Sequence, residues 1–119
     1  MWSAVGDPVH GEIISTDASG AGVAVTWYPS GSTTARTLAS DEYLAITDVL
    51  FISTAGGVYD LVFGAVGGGK HIAKGHAAAL GGLAHHFETP VVGVKGVNAL
   101  LIAEAGQVDL IVQGYIAKG

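Results

Sequence analysis

Hydrophobic residues along this chain come in short runs rich in valine and isoleucine, and clusters of glycine, proline, serine and aspartate separate the runs. The clearest run is Val108–Ile116, in which every second residue, starting from Val108, is apolar or glycine. A period of two is that of a β-strand with one face buried. The opposite face still carries Ile111 and Tyr115, so we expect a partner to cover that face as well.

The same pattern predicts nine short strands. Turn-forming residues separate many of them at a spacing of about 8 to 12 residues, which is typical of a β-sandwich or barrel. The segment Ile72–Leu80 is rich in alanine, but glycines within and after it disfavour a helix, and we expect a loop and a short strand there. The predicted strands are Val9–Ser15, Gly22–Tyr28, Thr33–Leu38, Tyr43–Ser53, Val58–Phe63, Leu83–Glu88, Val91–Val94, Asn98–Ala103 and Val108–Ile116.

The length of 119 residues predicts a single domain, 1–119. Charge is uneven within it: residues 1–60 contain seven carboxylates and one arginine, whereas residues 61–119 contain three carboxylates and four lysines. Because the composition changes near residue 40, we expect residues 1–40 to form an N-terminal arm or hairpin. Residues 41–119 are then expected to form the core of the sandwich.

Charged residues make up only 13% of the chain, against about 25% in an ordinary soluble domain. The net charge of −5 opposes binding to nucleic acid or to an anionic membrane surface. The sequence has no run of about 18 apolar residues, and its start lacks the basic segment and apolar core of a secretory signal. We therefore expect synthesis in the cytoplasm, no membrane or nucleic-acid partner, and a largely uncharged surface that other proteins cover.

A glycine-rich segment at Gly64–His71 matches the spacing GxxxxGK of a phosphate-binding loop. However, His71 stands where a serine or threonine hydroxyl normally binds magnesium. Such a loop also belongs to a parallel sheet with crossover helices, which this sequence does not predict. The segment is therefore expected to be a glycine-rich loop between strands.

Four histidines fall within 16 residues, and Glu88 follows them closely. On a strand, alternate residues of this segment would share a face and could complete a metal site, but no known metal-binding spacing accompanies them. The pattern favours histidines at a sandwich rim or subunit contact, where imidazole titrates near neutral pH. We expect no metal site, and we take His85, His86, Ile111 and Tyr115 as candidate subunit contacts. The four histidines are His71, His76, His85 and His86.

The sequence has no cysteine and no GxSxG motif around any serine, which disfavours nucleophilic catalysis. The neighbouring carboxylates of Asp41 and Glu42 would point to opposite faces of an extended chain, which disfavours a catalytic pair. We therefore expect neither enzymatic activity nor a cofactor.

Aromatic side chains with few charges around them suit stacking against sugars, and they equally suit packing in a core. Two tryptophans in a polar segment near the start also suit an arm that anchors in a neighbouring protein. We take Trp2, Val5, Val9, Trp27 and Tyr28 as candidate partner contacts. The aromatic residues considered as a sugar platform are Trp2, Trp27, Tyr28, Tyr43, Tyr59 and Tyr115.

The stretch Leu44–Tyr115 follows an order of strands and turns that is similar to that of a known structural class. Ile46–Val49 opens a strand, Glu88–Pro90 precedes a hairpin, Gly96–Leu100 leads into another strand, and Val108–Tyr115 closes the series. In this order the chain resembles the small jelly-roll proteins of tailed bacteriophages, particularly head decoration (cement) proteins. It is less closely similar to trimeric domains of the tumour-necrosis-factor type.

The resemblance implies an all-β fold: an antiparallel β-sandwich of jelly-roll, tumour-necrosis-factor-like topology. It implies a structural protein that binds the outer surface of an icosahedral head and stabilises it. The implied partner is the major capsid protein of the same virus, and the implied location is the capsid surface of the virion. The resemblance also implies a homo-oligomer, with a trimer favoured over a dimer.

A second function stays open at this point. The same fold would serve as a receptor- or glycan-binding jelly-roll module of a phage tail fibre or spike. Glycan binding that is lost on substitution of an aromatic residue would distinguish this function from decoration.

Overall fold

A computed structural model of the chain describes residues 6–17, 22–53, 56–64, 70–103 and 107–118. Every regular element within these residues is a β-strand, as the alternating pattern predicts. The described residues include no helix long and apolar enough to span a bilayer. The strands are β1 (Asp7–Asp17), β2 (Val23–Ala24), β3 (Thr26–Pro29), β4 (Glu42–Ser53), β5 (Gly57–Phe63), β6 (Lys70–Ala77), β7 (Gly81–Val92), β8 (Ala99–Ala103) and β9 (Gln107–Lys118).

The strands form two sheets that pack against each other. The five-stranded sheet has the order β3-β1-β9-β4-β7, and the four-stranded sheet has the order β2-β8-β5-β6. Every pairing between named strands is antiparallel. The prediction of an all-β, antiparallel β-sandwich is therefore confirmed.

Three of the predicted strands are divided or joined in the structure. Gly22–Tyr28 is divided, because β2 pairs with β8 in one sheet while β3 pairs with β1 in the other. Leu83–Glu88 and Val91–Val94 are joined in the single strand β7, which runs through Pro90. Pro90 has no amide hydrogen to donate to a neighbouring strand. It is tolerated because β7 lies at the edge of its sheet.

The segment Ile72–Leu80, expected to be a loop and a short strand, is strand as far as Ala77 within β6. The glycine-rich segment at Gly64–His71 connects β5 to β6, which are antiparallel neighbours with Phe63 opposite Lys70. The chain thus passes from strand to strand here rather than from a strand to a helix. Residues 65–69 lie outside the described residues.

The core lies between the two sheets and is formed by the inward residues of both. Its centre is a stacked pair of rings, Phe51 on β4 and Tyr59 on β5, with centroids 4.0 Å apart. Strands β1 and β3 pair with each other and supply Val9 and Trp27 to the same core. Strands β1 and β3 of residues 1–40 are therefore part of the five-stranded sheet of the sandwich. The other core residues include Ile13, Val25, Leu44, Ile46, Val49, Leu61, Phe63, Leu101, Leu110, Val112 and Ile116.

A hydrogen-bonded group joins the two sheets at the point where the chain crosses between them. Trp27 Nε1 donates to Asn98 Oδ1 over 2.7 Å, and the same oxygen accepts from the backbone N–H of Ala99 over 2.8 Å. Asn98 Nδ2 donates to the carbonyl oxygen of Val25 over 3.1 Å, and Val25 N donates to the Ala99 carbonyl over 3.0 Å. We refer to Val25, Trp27, Asn98 and Ala99 as the sheet clip.

The predicted strand Thr33–Leu38 is wrong. In this segment only Arg36 makes an isolated bridge, to Trp27. The segment forms a loop that is held by the buried carboxylate of Glu42, whose Oε2 accepts from Arg36 Nη2 (2.5 Å) and whose Oε1 accepts from the backbone N–H of Ala39 (2.9 Å). Arg36 N donates to the Trp27 carbonyl oxygen over 2.8 Å and Thr34 N donates to the Ser32 hydroxyl over 3.1 Å, so the segment makes a single bridge rather than a ladder.

We predict that Asn98→Ala destabilises the fold. The substitution leaves the buried indole N–H of Trp27 without its acceptor, which costs about 1–3 kcal/mol. The free energy of unfolding, measured by urea denaturation with tryptophan fluorescence, should fall by that amount. The exposed control Thr33→Ala should change it by less than about 0.5 kcal/mol. Equal stability of Asn98→Ala and the control would contradict the role of the sheet clip.

We also predict that acid destabilises the fold by protonating the carboxylate of Glu42. The hydrogen bond from the Ala39 backbone and the nearby Arg36 guanidinium lower the pKa of Glu42 below its ordinary value of 4.5. A lowered pKa in the folded state contributes stability that is present above 4.5 and is lost as the pH falls below it.

The stability difference between wild type and Glu42→Gln should therefore shrink as the pH falls below 4.5. Thermal unfolding followed by circular dichroism across this range measures it. Ser40→Ala, an exposed neighbour in the same turn, should run parallel to wild type. A difference that stays constant with pH would contradict the assignment.

Candidate binding surface

The outer face of the five-stranded sheet carries apolar side chains at neighbouring positions of three strands. Leu50 on β4 lies directly opposite Ile111 on β9 and Ala84 on β7, and Ile52 follows Leu50 on the same face. Leu50 and Ile52 are 38% and 41% exposed, Ala84 is exposed, and Ile111 is half-buried. We refer to Leu50, Ile52, Ala84 and Ile111 as the apolar patch.

The alternation of β4 places the patch residues outward. Val49 and Phe51 point into the core and are almost completely buried, so Leu50 and Ile52 project from the other side of the strand. A half-buried strand usually carries polar residues on its solvent side. Contiguous apolar residues in that position are typical of a surface that contacts another molecule.

The outer face of the four-stranded sheet also carries hydrophobic residues. Val58 is 41% exposed there, and Ile102 is half-buried. Asp60 lies between Ile102 and Lys74 in the register of this sheet, and His71 Nδ1 lies 2.7 Å from Asp60 Oδ1. Charged groups therefore lie among the apolar residues of this face, just as Asp109 lies opposite Ile52 on the outer face of the five-stranded sheet.

The candidate partner contacts in the N-terminal part of the chain have different environments. Val9 and Trp27 are only 4% and 2% exposed, because their strands lie inside the sandwich and their side chains fill the core. Their assignment to a surface contact is wrong. Tyr28, the next residue along β3, is half-buried on the outer face. Trp2 and Val5 lie outside the described residues.

The candidate subunit contacts do not all share one face. His85 points between the sheets, where its Nε2 lies 2.5 Å from the hydroxyl oxygen of Tyr59. His86 projects from the opposite side of β7 and places Nδ1 2.7 Å from Asp48 Oδ1. Ile111 and Tyr115 lie with His86 on the outer face of the five-stranded sheet. A subunit contact on this face would therefore include His86, Ile111 and Tyr115 but not His85.

Three of the histidines in the described residues each lie beside a different carboxylate. Besides His71 with Asp60 and His86 with Asp48, His10 Nε2 lies 3.1 Å from Glu12 Oε2. The hydrogen bond from His86 lowers the pKa of Asp48 below its ordinary value. In the part of the chain that the structure describes, no three histidine or carboxylate side chains converge on a position for a metal ion.

A cleft lies beside the apolar patch, on the β3 side of the same face. Its two halves, of about 340 and 460 Å³, share His10 and Ser30 as lining residues. Sequence analysis did not predict this site, although Tyr28 and Tyr115 were both selected as candidate contacts. We refer to it as the tyrosine cleft. It is lined by Pro8, Val9, His10, Glu12, Tyr28, Pro29, Ser30, Gly31, Ser32, Thr33, Thr47, Asp48, Gln113, Gly114 and Tyr115.

A β-bulge forms one wall of the tyrosine cleft. The pairing of β4 with both of its neighbours shifts between Ile46 and Asp48, which leaves Thr47 as an extra residue. The Thr47 hydroxyl donates to the carbonyl oxygen of Gln113 over 3.1 Å. Because a bulge bends the strand and redirects its side chains, it opens a depression in a surface that is otherwise regular.

Comparison with protein-family models, with curated proteins and with solved structures finds no match to this chain. The function is therefore inferred from the residues and geometry of the molecule itself.

Proposed function

We propose that this chain is a structural decoration (cement) protein of a viral capsid, which binds the outer surface of the icosahedral head and stabilises it. In this proposal its partner is the major capsid protein of the same virus, and it works as a homo-oligomer, with a trimer favoured. It performs no catalysis. The observation that carries the proposal is the apolar patch on the outer face of the five-stranded sheet.

The strand order supports the jelly-roll topology in this proposal. Four strands of the larger sheet follow the order β1-β9-β4-β7, and the other sheet follows β2-β8-β5-β6. Strands β5 and β6 are neighbours in one sheet. The three connections that follow, β6 to β7, β7 to β8 and β8 to β9, each cross from one sheet to the other. Such alternation is typical of a jelly roll, a fold that viral capsid proteins use.

The chemistry of the apolar patch suits a contact with protein. Leu50, Ile52 and Ile111 carry no charge, and the centre of a protein interface is depleted of charged residues. An ordered shell presents the same site many times. An oligomer that contacts several copies at once binds more tightly than one contact allows, because the second contact forms at high effective concentration.

Co-sedimentation with heads tests the proposal. The heads are assembled from the major capsid protein encoded in the same genome, expanded, and mixed with the purified protein. Wild type should pellet with the heads. Ile52→Lys should weaken binding by at least about tenfold, because it places an ammonium group in an apolar contact.

The matched control is Val58→Lys, which has the same 41% exposure as Ile52 but lies on the outer face of the other sheet. It should bind like wild type. Circular dichroism checks that both variants fold. Wild-type protein that stays in the supernatant would contradict the function, and equal binding by Ile52→Lys and wild type would contradict the assigned surface.

A further inference from the structure

The tyrosine cleft contains aromatic and polar side chains that the contact with a capsid does not use. The apolar patch lies on β9, β4 and β7. The cleft extends from other positions of β9 and β4 across β1 to β3, and it shares no residue with the patch. We propose that the tyrosine cleft binds a neutral saccharide. This proposal does not rest on the capsid function.

Several hydrogen-bonding groups in the cleft are free to meet a ligand. Within the described residues, the hydroxyl groups of Tyr28 and Tyr115 and the side-chain amide of Gln113 have no hydrogen-bond partner. Together these groups both donate and accept hydrogen bonds. Sugar hydroxyl groups also do both, so they match this uncharged set.

The two carboxylates of the cleft are held in place but keep acceptor capacity. Glu12 is paired with His10 over 3.1 Å, and Asp48 is paired with His86 over 2.7 Å. Each contact involves one carboxylate oxygen, and a carboxylate has about four acceptor positions. Both groups can therefore still accept a hydrogen bond from a ligand hydroxyl.

The charge of the cleft selects against anions. Neither lysine nor arginine is among its lining residues, while Glu12 and Asp48 carry negative charge. Phosphate, sulfate and nucleic acid would be repelled. The half-buried rings of Tyr28 and Tyr115 instead provide apolar surface for the C–H face of a sugar ring.

The cleft is preformed by backbone contacts. The turn after β3 is joined to β1 by a hydrogen bond from Ser30 N to the Pro8 carbonyl (3.1 Å), and Ser32 N donates to the Pro29 carbonyl (2.9 Å). Gly31 adopts a φ of 78°, which a side chain would disfavour. A site that needs no rearrangement loses less ordering entropy on binding.

The volume of the cleft limits the size of the ligand. Its two halves, of about 340 and 460 Å³, fall within the usual range for small-molecule sites of about 300–1,000 Å³. Because both halves are open to solvent, we expect weak binding, in the millimolar range. One or two sugar units would contact both His10 and Ser30, the residues that the halves share.

Saturation-transfer NMR with the free protein tests the proposal. The probes are glucose, galactose, mannose and N-acetylglucosamine at millimolar concentration, and a titration gives the dissociation constant of each sugar that shows transfer. At least one sugar should bind. Inorganic phosphate, followed by ³¹P linewidth, should not bind.

Two variants locate the binding site. Tyr28→Ala removes a ring, and Gln113→Ala removes an exposed amide whose loss does not threaten folding. Each should weaken sugar binding by about tenfold, as expected for the loss of a stacking or hydrogen-bonding contact. Tyr43→Ala is the matched control, because Tyr43 is half-buried but does not line the cleft, and it should bind like wild type.

The absence of transfer from all four sugars would overturn the proposal. Unchanged binding in both Tyr28→Ala and Gln113→Ala, or binding of phosphate in place of sugar, would overturn it as well. The capsid function is tested separately, since Gln113→Ala should still pellet with heads. Failure of head binding would therefore leave the saccharide result unaffected.

Discussion

The structure depends on the crossing of the chain from one sheet to the other at Val25. Residues before this point pair with β8 in the four-stranded sheet, and residues after it pair with β1 in the five-stranded sheet. The side chain of Asn98 bonds to both Trp27 and the Val25 backbone, so the crossing is fixed by groups from both sheets. Because the crossing sets the position of β3, it also positions Tyr28 and the Ser30 turn, which form one wall of the tyrosine cleft.

The strands that are predicted well from the sequence are those in which the alternation of apolar and polar residues within the strand determines which side is buried. Tyr43–Ser53 and Val108–Ile116 are found almost as expected, since alternation alone determines which of their residues are buried. The errors depend on distant partners. Val9 and Trp27 were assigned to a contact outside the sandwich, but β1 pairs with β9 near the other end of the chain, which brings both side chains into the core.

Parts of the candidate surface were also predictable and parts were not. The outward position of Ile111 and Tyr115 followed from alternation in β9. The same rule places His85 and His86 on opposite faces of β7, although both are candidate subunit contacts. The tyrosine cleft was not predictable, because it depends on the bulge at Thr47, which has no pattern in the sequence of β4. The turn at Ser30 does have a signal, since proline, serine and glycine follow one another at residues 29–31, but a turn alone does not predict a cleft.

In the proposed function, the five-stranded sheet of this protein faces the shell of a capsid. Electron cryomicroscopy of expanded heads, assembled from the major capsid protein of the same genome and incubated with this protein, tests it most directly. We expect additional density on the outer surface of the head, with the sheet that carries Leu50 and Ile52 against the shell. Bare heads, or density in which the four-stranded sheet faces the shell, would contradict it.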